Sequence, residues 1–128
     1  MKRILIEVSP GELVDRVTIL EIKSCTFGGD KLANVQCYLS YLKPKLREVI
    51  CTKELYKLQE TLKICNEALW NIQERLHNTE LTIDFFETLC LSHRLNDQRS
   101  DLKRAIDRVC GSDIGEEKSY NTGVKEDV

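Results

Sequence analysis

Two acidic residues near the start of the chain, Glu12 and Asp15, lie three positions apart. On a helix they would share one face and could offer oxygen ligands to a divalent cation. A second pair is needed for such a site, but Asp84 and Glu87 are better explained as capping residues. We therefore interpret Glu12 as a capping residue that pairs with Arg16, and we predict no metal ion and no cofactor.

A polar group interrupts the apolar pattern of the C-terminal half. Asn96, Asp97, Arg99 and Lys103 fall inside a stretch that otherwise predicts an amphipathic helix. Polar groups that face a bundle interior must be paired or bind something. Two interpretations stay open: a structural hydrogen-bond network, or an anion site for a nucleotide or sugar phosphate held by Arg99 and Lys103.

The single tryptophan, Trp70, follows the same helical spacing as Glu60, Lys63, Glu67 and Glu74. This polar face lies opposite the apolar face of the same segment. A tryptophan outside the main apolar face indicates a second contact. The contact could be with another helix of the chain, with a protein partner or with a small molecule.

The six cysteines show no Cys-x-x-Cys pair, and Cys90 with His93 supplies only two of the ligands that a zinc site requires. We interpret the cysteines as small apolar residues of the core or its boundary.

The segment Ser9-Pro10-Gly11-Glu12 predicts the start of a first helix, which ends near Phe27. Ser9 suits the N-cap, Pro10 suits the first helical position, and Glu12 can reach back to the Ser9 amide. Residues 3–8, Arg-Ile-Leu-Ile-Glu-Val, predict a short N-terminal β-strand. Its partner would be residues 81–85 or the same strand of a second subunit.

Two apolar seams with alternating steps of three and four follow. They consist of Leu32, Val35, Leu39, Leu42, Leu46 and Val49, and of Leu55, Leu58, Leu62, Cys65, Leu69, Ile72 and Leu76. They predict a second helix capped by Asp30, with a kink or break near Pro44, and a third helix over residues 53–77. A long antiparallel hairpin of these two helices is the expected frame of an all-α bundle, with the other helices packed on it.

A fourth helix is predicted to follow Asp84, which begins a second capping box, and to continue to Cys110, with Gly111 as its C-terminal stop. We expect residues 1–120 to form one helical domain and residues 121–128 to form a disordered acidic tail.

The 128 residues are 41% hydrophobic and 31% charged, with a net charge of -2. No apolar run approaches a membrane span or a signal peptide, so we expect a cytoplasmic protein that does not contact a membrane. Basic residues after position 93 alternate with acidic ones. A nucleic-acid binder would show a basic stripe instead, so we expect no nucleic-acid partner.

Four segments resemble known sequences: Ser9 to Lys23 (SPGELVDRVTILEIK), Lys31 to Val35 (KLANV), Asn66 to Trp70 (NEALW) and Glu116 to Tyr120 (EEKSY). Together they resemble a family of small bacterial and phage proteins of unknown function. The chain departs from the family at Gln73-Glu74, where an acidic pair is usual, and at His93, where tyrosine is usual. The resemblance implies a helical cytoplasmic protein and no established activity.

These observations favour a non-enzymatic protein-interaction module, a homodimer through its seams or its N-terminal strand. The alternative is an enzyme or ligand-binding protein that acts on a nucleotide or sugar phosphate through a polar cluster. The candidate ligand or interface residues, expected to converge between the first, third and fourth helices, are Glu12, Asp15, Lys23, Asn66, Glu67, Trp70, Asn96, Asp97, Arg99, Lys103, Lys118 and Tyr120.

Overall fold

The computed structural model describes residues 3–78 and 82–115, which contain four α-helices and no strand. The helices are α1 (Pro10–Thr26), α2 (Gly29–Val49), α3 (Lys53–His77) and α4 (Ile83–Cys110). The all-α fold is therefore confirmed. No helix in the described part of the chain is long and apolar enough to cross a membrane.

The start of α1 follows the sequence prediction closely. The Ser9 hydroxyl accepts a hydrogen bond from the Glu12 amide at 3.1 Å, and Pro10 occupies the first helical position. The expected return bond from the Glu12 side chain to the Ser9 amide is not found, because that carboxylate instead binds Lys103 and Arg16.

Two of the predicted N-caps are wrong. Gly28, rather than Asp30, is the N-cap of α2, and it makes no side-chain capping bond. Asp30 lies in the first turn, where its negative charge interacts favourably with the helix dipole. Thr82 rather than Asp84 caps α4, since its hydroxyl accepts the Phe85 amide at 3.3 Å. The cap therefore begins α4 one residue before Asp84.

The helix ends agree better with the prediction. α3 ends at His77, and α4 ends before Gly111, which adopts the left-handed conformation (φ +67°) that glycine tolerates. α2 continues through Pro44 as one helix, so no break occurs there.

The packing differs from the predicted hairpin of α2 and α3. α1 lies at the centre and contacts each of the other three helices, while α3 packs against α4. The two seams are buried against these neighbours and do not pair with each other as a coiled coil. One core cluster joins α1 to α2, and it consists of Val17, Leu20, Val35, Leu39 and Leu42. A second joins α1, α3 and α4 through Val14, Leu55, Leu62 and Ile106. The structure therefore does not support a homodimer through the seams.

The N-terminal strand is also not formed. Residues 3–8 belong to no helix or strand, and Ile4, Leu5 and Ile6 are 83%, 81% and 73% exposed. A strand needs a hydrogen-bonding neighbour. Residues 83–85 cannot provide it because they belong to α4, and Leu81 lies outside the described residues.

The cysteine interpretation holds for two of the six thiols. Cys65 is buried and Cys110 is partly buried, and burial raises the pKa of both thiols. The exposed cysteines, which contradict the interpretation, are Cys25, Cys37, Cys51 and Cys90.

Candidate functional site

α1 and α4 approach each other closely at Gly11. A Cβ atom at this position would lie only 2.3 Å from the carbonyl oxygen of Lys103, so no other residue fits without a shift of the helices. The Gly11 amide donates a hydrogen bond of 2.7 Å to Oδ1 of Asp107. The first amides of a helix have no hydrogen-bond acceptor within the helix. Asp107, 96 positions away in sequence, supplies this acceptor for the Gly11 amide.

Asp15, only 2% exposed, is the centre of a charged group between α1, α3 and α4. The Arg99 guanidinium donates to both of its oxygens, from Nε to Oδ1 at 2.8 Å and from Nη2 to Oδ2 at 2.5 Å. This bidentate geometry is the strongest form of an arginine–carboxylate pair. It joins α1 to α4 across 84 positions of sequence.

Asn66 connects α3 to the same carboxylate. Its Nδ2 atom donates to Oδ1 of Asp15 at 3.0 Å and to the Thr18 hydroxyl at 2.8 Å. Thr18 in turn donates to the backbone carbonyl of Asp15 at 2.7 Å. Buried polar groups that satisfy each other in this way fix the relative positions of the helices that carry them.

Lys103 extends the group toward the start of α1. Its Nζ atom lies 2.7 Å from Oε2 of Glu12 and 4.0 Å from Oδ2 of Asp15. The hydrogen bond from Lys103 is the main reason that the pKa of Glu12 lies below its ordinary value. We call this set, which consists of Glu12, Asp15, Asn66, Arg99 and Lys103, the Asp15 cluster.

The Asp15 cluster is electrically balanced, because two carboxylates face two cations. Arg99 and Lys103 already bind the carboxylates of Asp15 and Glu12, so a phosphate would have to displace these carboxylates. The geometry therefore favours the structural network of the two interpretations left open by the sequence, and the nucleotide or sugar phosphate site stays a prediction.

A second feature is a groove of about 530 Å³ that opens between α2 and α3 over the C-terminal half of α1. Trp70 lines it, and its indole N–H donates to Oε1 of Glu74 at 3.1 Å. The rings of Trp70 and Phe27 lie 6.1 Å apart and inclined by 59°, a favourable tilted arrangement. We call this surface the Trp70 groove.

Charged side chains surround the aromatic part of the Trp70 groove. The Nζ atom of Lys63 lies 3.2 Å from Oε2 of Glu21, and this hydrogen bond raises the pKa of Lys63. Glu67 and Lys43 also line the groove. Because Lys63 is neutralised by Glu21, the lining near Trp70 carries a net negative charge.

The structure thus separates the predicted site residues. Five of them form the Asp15 cluster, as expected of a convergence between α1, α3 and α4, whereas Glu67 and Trp70 lie at the groove. Asn96 and Asp97 are partly buried on α4 before Arg99, and Lys23, in the last turn of α1, does not line the groove. Lys118 and Tyr120 lie outside the described residues.

Gly11, Asp107 and Phe27 take part in these two features but are not among the site residues predicted from the sequence. Gly11 carries a usable signal, because glycine within the first turn of a helix lowers stability unless a close approach requires it. Asp107 and Phe27 carry none, since their partners are distant in sequence.

Comparisons with protein-family models, with curated proteins and with solved structures gave no match. The described residues contain no group of three or more His, Cys, Asp or Glu side chains arranged to hold a metal ion.

Proposed function

We propose that this chain is a non-enzymatic protein-interaction module that binds its partner in the Trp70 groove. The observation that carries the proposal is the location of the single tryptophan on a surface groove rather than in the core. Tryptophan is enriched at the energetic centres of protein interfaces, where its ring is buried against a partner.

The residues that line the groove indicate which side chains a partner should carry. Its apolar part, formed by Trp70 with Leu39 and Ile22, suits a large apolar side chain. Glu67 and Glu74 beside it suit a Lys or Arg on the same segment of the partner. The groove therefore fits a peptide segment with an apolar anchor next to basic residues.

The proposal can be tested by selecting, from a displayed peptide library, the peptides that bind the whole chain. Peptides that bind the wild type should carry the anchor and the basic residues, and they should lose binding to Trp70→Ala and bind Glu67→Lys more weakly. Tyr56→Ala, which removes an exposed aromatic ring elsewhere on α3, is the matched control and should bind normally. Selected peptides that bind Trp70→Ala as well as the wild type would overturn the proposal.

A thermal unfolding panel with nucleotides and sugar phosphates tests the alternative function. Selective binding to the folded chain raises the unfolding temperature. At a ligand concentration a hundredfold above Kd, it adds about 3 kcal/mol to the free energy of unfolding. A rise with one of these ligands would favour the ligand-binding alternative over the interaction module.

We also propose that the chain forms a homodimer and is located in the cytoplasm. Six unpaired cysteine thiols, four of them exposed, suit a reducing compartment. The pairing of Arg99, Lys103 and Arg104 with carboxylates of the same chain supports the absence of a nucleic-acid partner. Because both seams are buried within one chain, the dimer must use another surface.

A further inference from the structure

Residues 3–8 belong to no helix or strand and present three consecutive large apolar side chains to solvent. The backbone of this segment forms no strand with any described residue. An exposed segment with β-branched side chains and no strand partner in its own chain can pair as a strand with another chain.

Both ends of the segment are held on the helical body. At one end, Val8 is less exposed than Ile4, Leu5 and Ile6 and leads directly into the Ser9 cap of α1. At the other end, the Arg3 guanidinium lies over the ring of Tyr41 on α2, 5.5 Å from its centre. A segment held at two points loses less conformational freedom when it binds.

We propose that residues 3–8 of two copies pair as antiparallel strands about a two-fold axis at Leu5. The inference rests on the self-association proposed above and assigns its surface. In this register Leu5 meets Leu5 of the second copy, and Ile4 meets Ile6. Arg3 meets Glu7 on both sides of the axis, which gives two opposite-charge pairs.

The charge pattern selects this register over its neighbours. The next registers that keep the two-fold axis are shifted by two residues, because a one-residue shift turns the side chains to opposite faces. They place Arg3 opposite Leu5 or Ser9 and remove both charge pairs. Parallel pairing in register places Arg3 beside Arg3 and Glu7 beside Glu7. Opposite charges across a strand pair stabilise it and like charges destabilise it.

The pleat of the strands also gives the pair an apolar face. Ile4, Ile6 and Val8 point to one side of the strand, while Arg3, Leu5 and Glu7 alternate with them on the other. Two copies together place six apolar side chains on one face. Because a two-stranded ribbon alone is marginal in water, the helical bodies of the two copies must cover this face.

Charge reversal in the whole chain tests the pairing, with the dimer Kd measured by analytical ultracentrifugation. Arg3→Glu and Glu7→Arg should each weaken the dimer by at least about tenfold, because each turns two attractive pairs into two repulsive ones. The double variant exchanges the two charges within each chain, so it should recover most of the wild-type affinity. Lys57→Glu, an equal charge change at an exposed position of α3, should leave the Kd unchanged.

A second measurement tests the position of the axis. In a background with serine at the four exposed cysteines, Leu5→Cys should form an intermolecular disulfide on mild oxidation. Ile4→Cys should form it much more slowly, since Ile4 meets Ile6 rather than itself.

The outcomes separate the two proposals. A wild-type chain that stays monomeric overturns both the self-association and the strand pairing. A dimer that neither charge reversal weakens overturns the pairing alone. Single variants that weaken the dimer without recovery in the double variant overturn the register.

Discussion

The Asp15 cluster and the Trp70 groove contain similar residue types. They differ in whether the polar groups bind each other within the chain or face open space. In the Asp15 cluster, charged side chains from α1 and α4 and an amide from α3 bind each other, and the central carboxylate is almost inaccessible. In the Trp70 groove, an aromatic ring and several carboxylates face an open space. Charges that leave water must be matched inside the chain, so the cluster fixes helix positions. The groove leaves its ring and carboxylates at the surface, as the proposed partner site requires.

The largest expected effect comes from breaking the central pair of the Asp15 cluster. Arg99→Met should lower the free energy of unfolding by about 3 kcal/mol, because it leaves the Asp15 carboxylate buried without its cation. Urea unfolding followed by circular dichroism measures the loss. Adding Asp15→Asn to Arg99→Met should recover part of it, since the uncompensated charge is then removed.

Arg104→Met provides the control for this comparison on the same helix. Arg104 pairs with the exposed Asp101, so its loss should lower stability by less than about 1 kcal/mol. Equal losses for Arg99→Met and Arg104→Met would show that the Asp15 cluster does not determine the packing.

The close approach of α1 and α4 gives the next largest effect. Gly11→Ala should destabilise the fold by about 2 to 3 kcal/mol, because the added Cβ would overlap the Lys103 carbonyl and separate the helices. Gly28→Ala, where nothing lies within 4 Å, should cost less than about 1 kcal/mol by the same unfolding measurement. A similar cost at both positions would contradict the tight contact.

At the Trp70 groove the expected stability effect is smaller and the binding effect larger. Trp70→Ala should lower the free energy of unfolding by about 1 kcal/mol, since the ring is only partly buried. The same variant should abolish binding of the peptides that the library selects. A stability loss as large as that of Arg99→Met would mean that Trp70 belongs to the core and would remove the contrast between the two regions.

The smallest effect is a pH dependence at the edge of the Asp15 cluster. The pKa of Glu12 in the folded chain lies below the ordinary value of 4.5, so its contribution is present above about pH 4.5. That contribution is lost as the pH falls through the folded-state pKa. Glu12→Gln should therefore be less stable than the wild type at neutral pH, by less than about 1 kcal/mol because Glu12 is partly solvated. Unfolding curves at decreasing pH should show this difference disappear, and a difference that persists in acid would contradict the assignment.

The sequence predicted the helices well because caps and periodicity are local. Ser9 and Gly111 marked true helix boundaries, whereas Thr82 and Asp84 are both good capping residues, and the local pattern does not rank them. The heptad seams identified the buried faces of α2 and α3 but not their neighbours. A seam shows that a face is buried, and only the tertiary fold shows that α1 lies against it.

The candidate site was predictable to a similar extent. Arg99 and Lys103 stood out because they interrupt an apolar helix, and the structure explains the interruption by buried carboxylates on α1. The identity of those partners depends on the packing of α1 against α4, which no spacing along the chain encodes. Trp70 was correctly placed outside the seam, but Phe27, which contacts it, lies where the first helix was predicted to end.

The contact between α1 and α4 also determines when the chain can fold during synthesis. The bonds from Gly11 to Asp107, from Glu12 to Lys103 and from Asp15 to Arg99 span 96, 91 and 84 positions. Such long sequence separations raise the contact order and slow folding relative to a bundle of local hairpins. Of the four described helices α1 leaves the ribosome first, and the partners of its start on α4 are among the last described residues to emerge. The C-terminal half of α1 can therefore pack against α2 early, whereas the start of α1 acquires its partners on α4 only after the rest of the described helices have been translated.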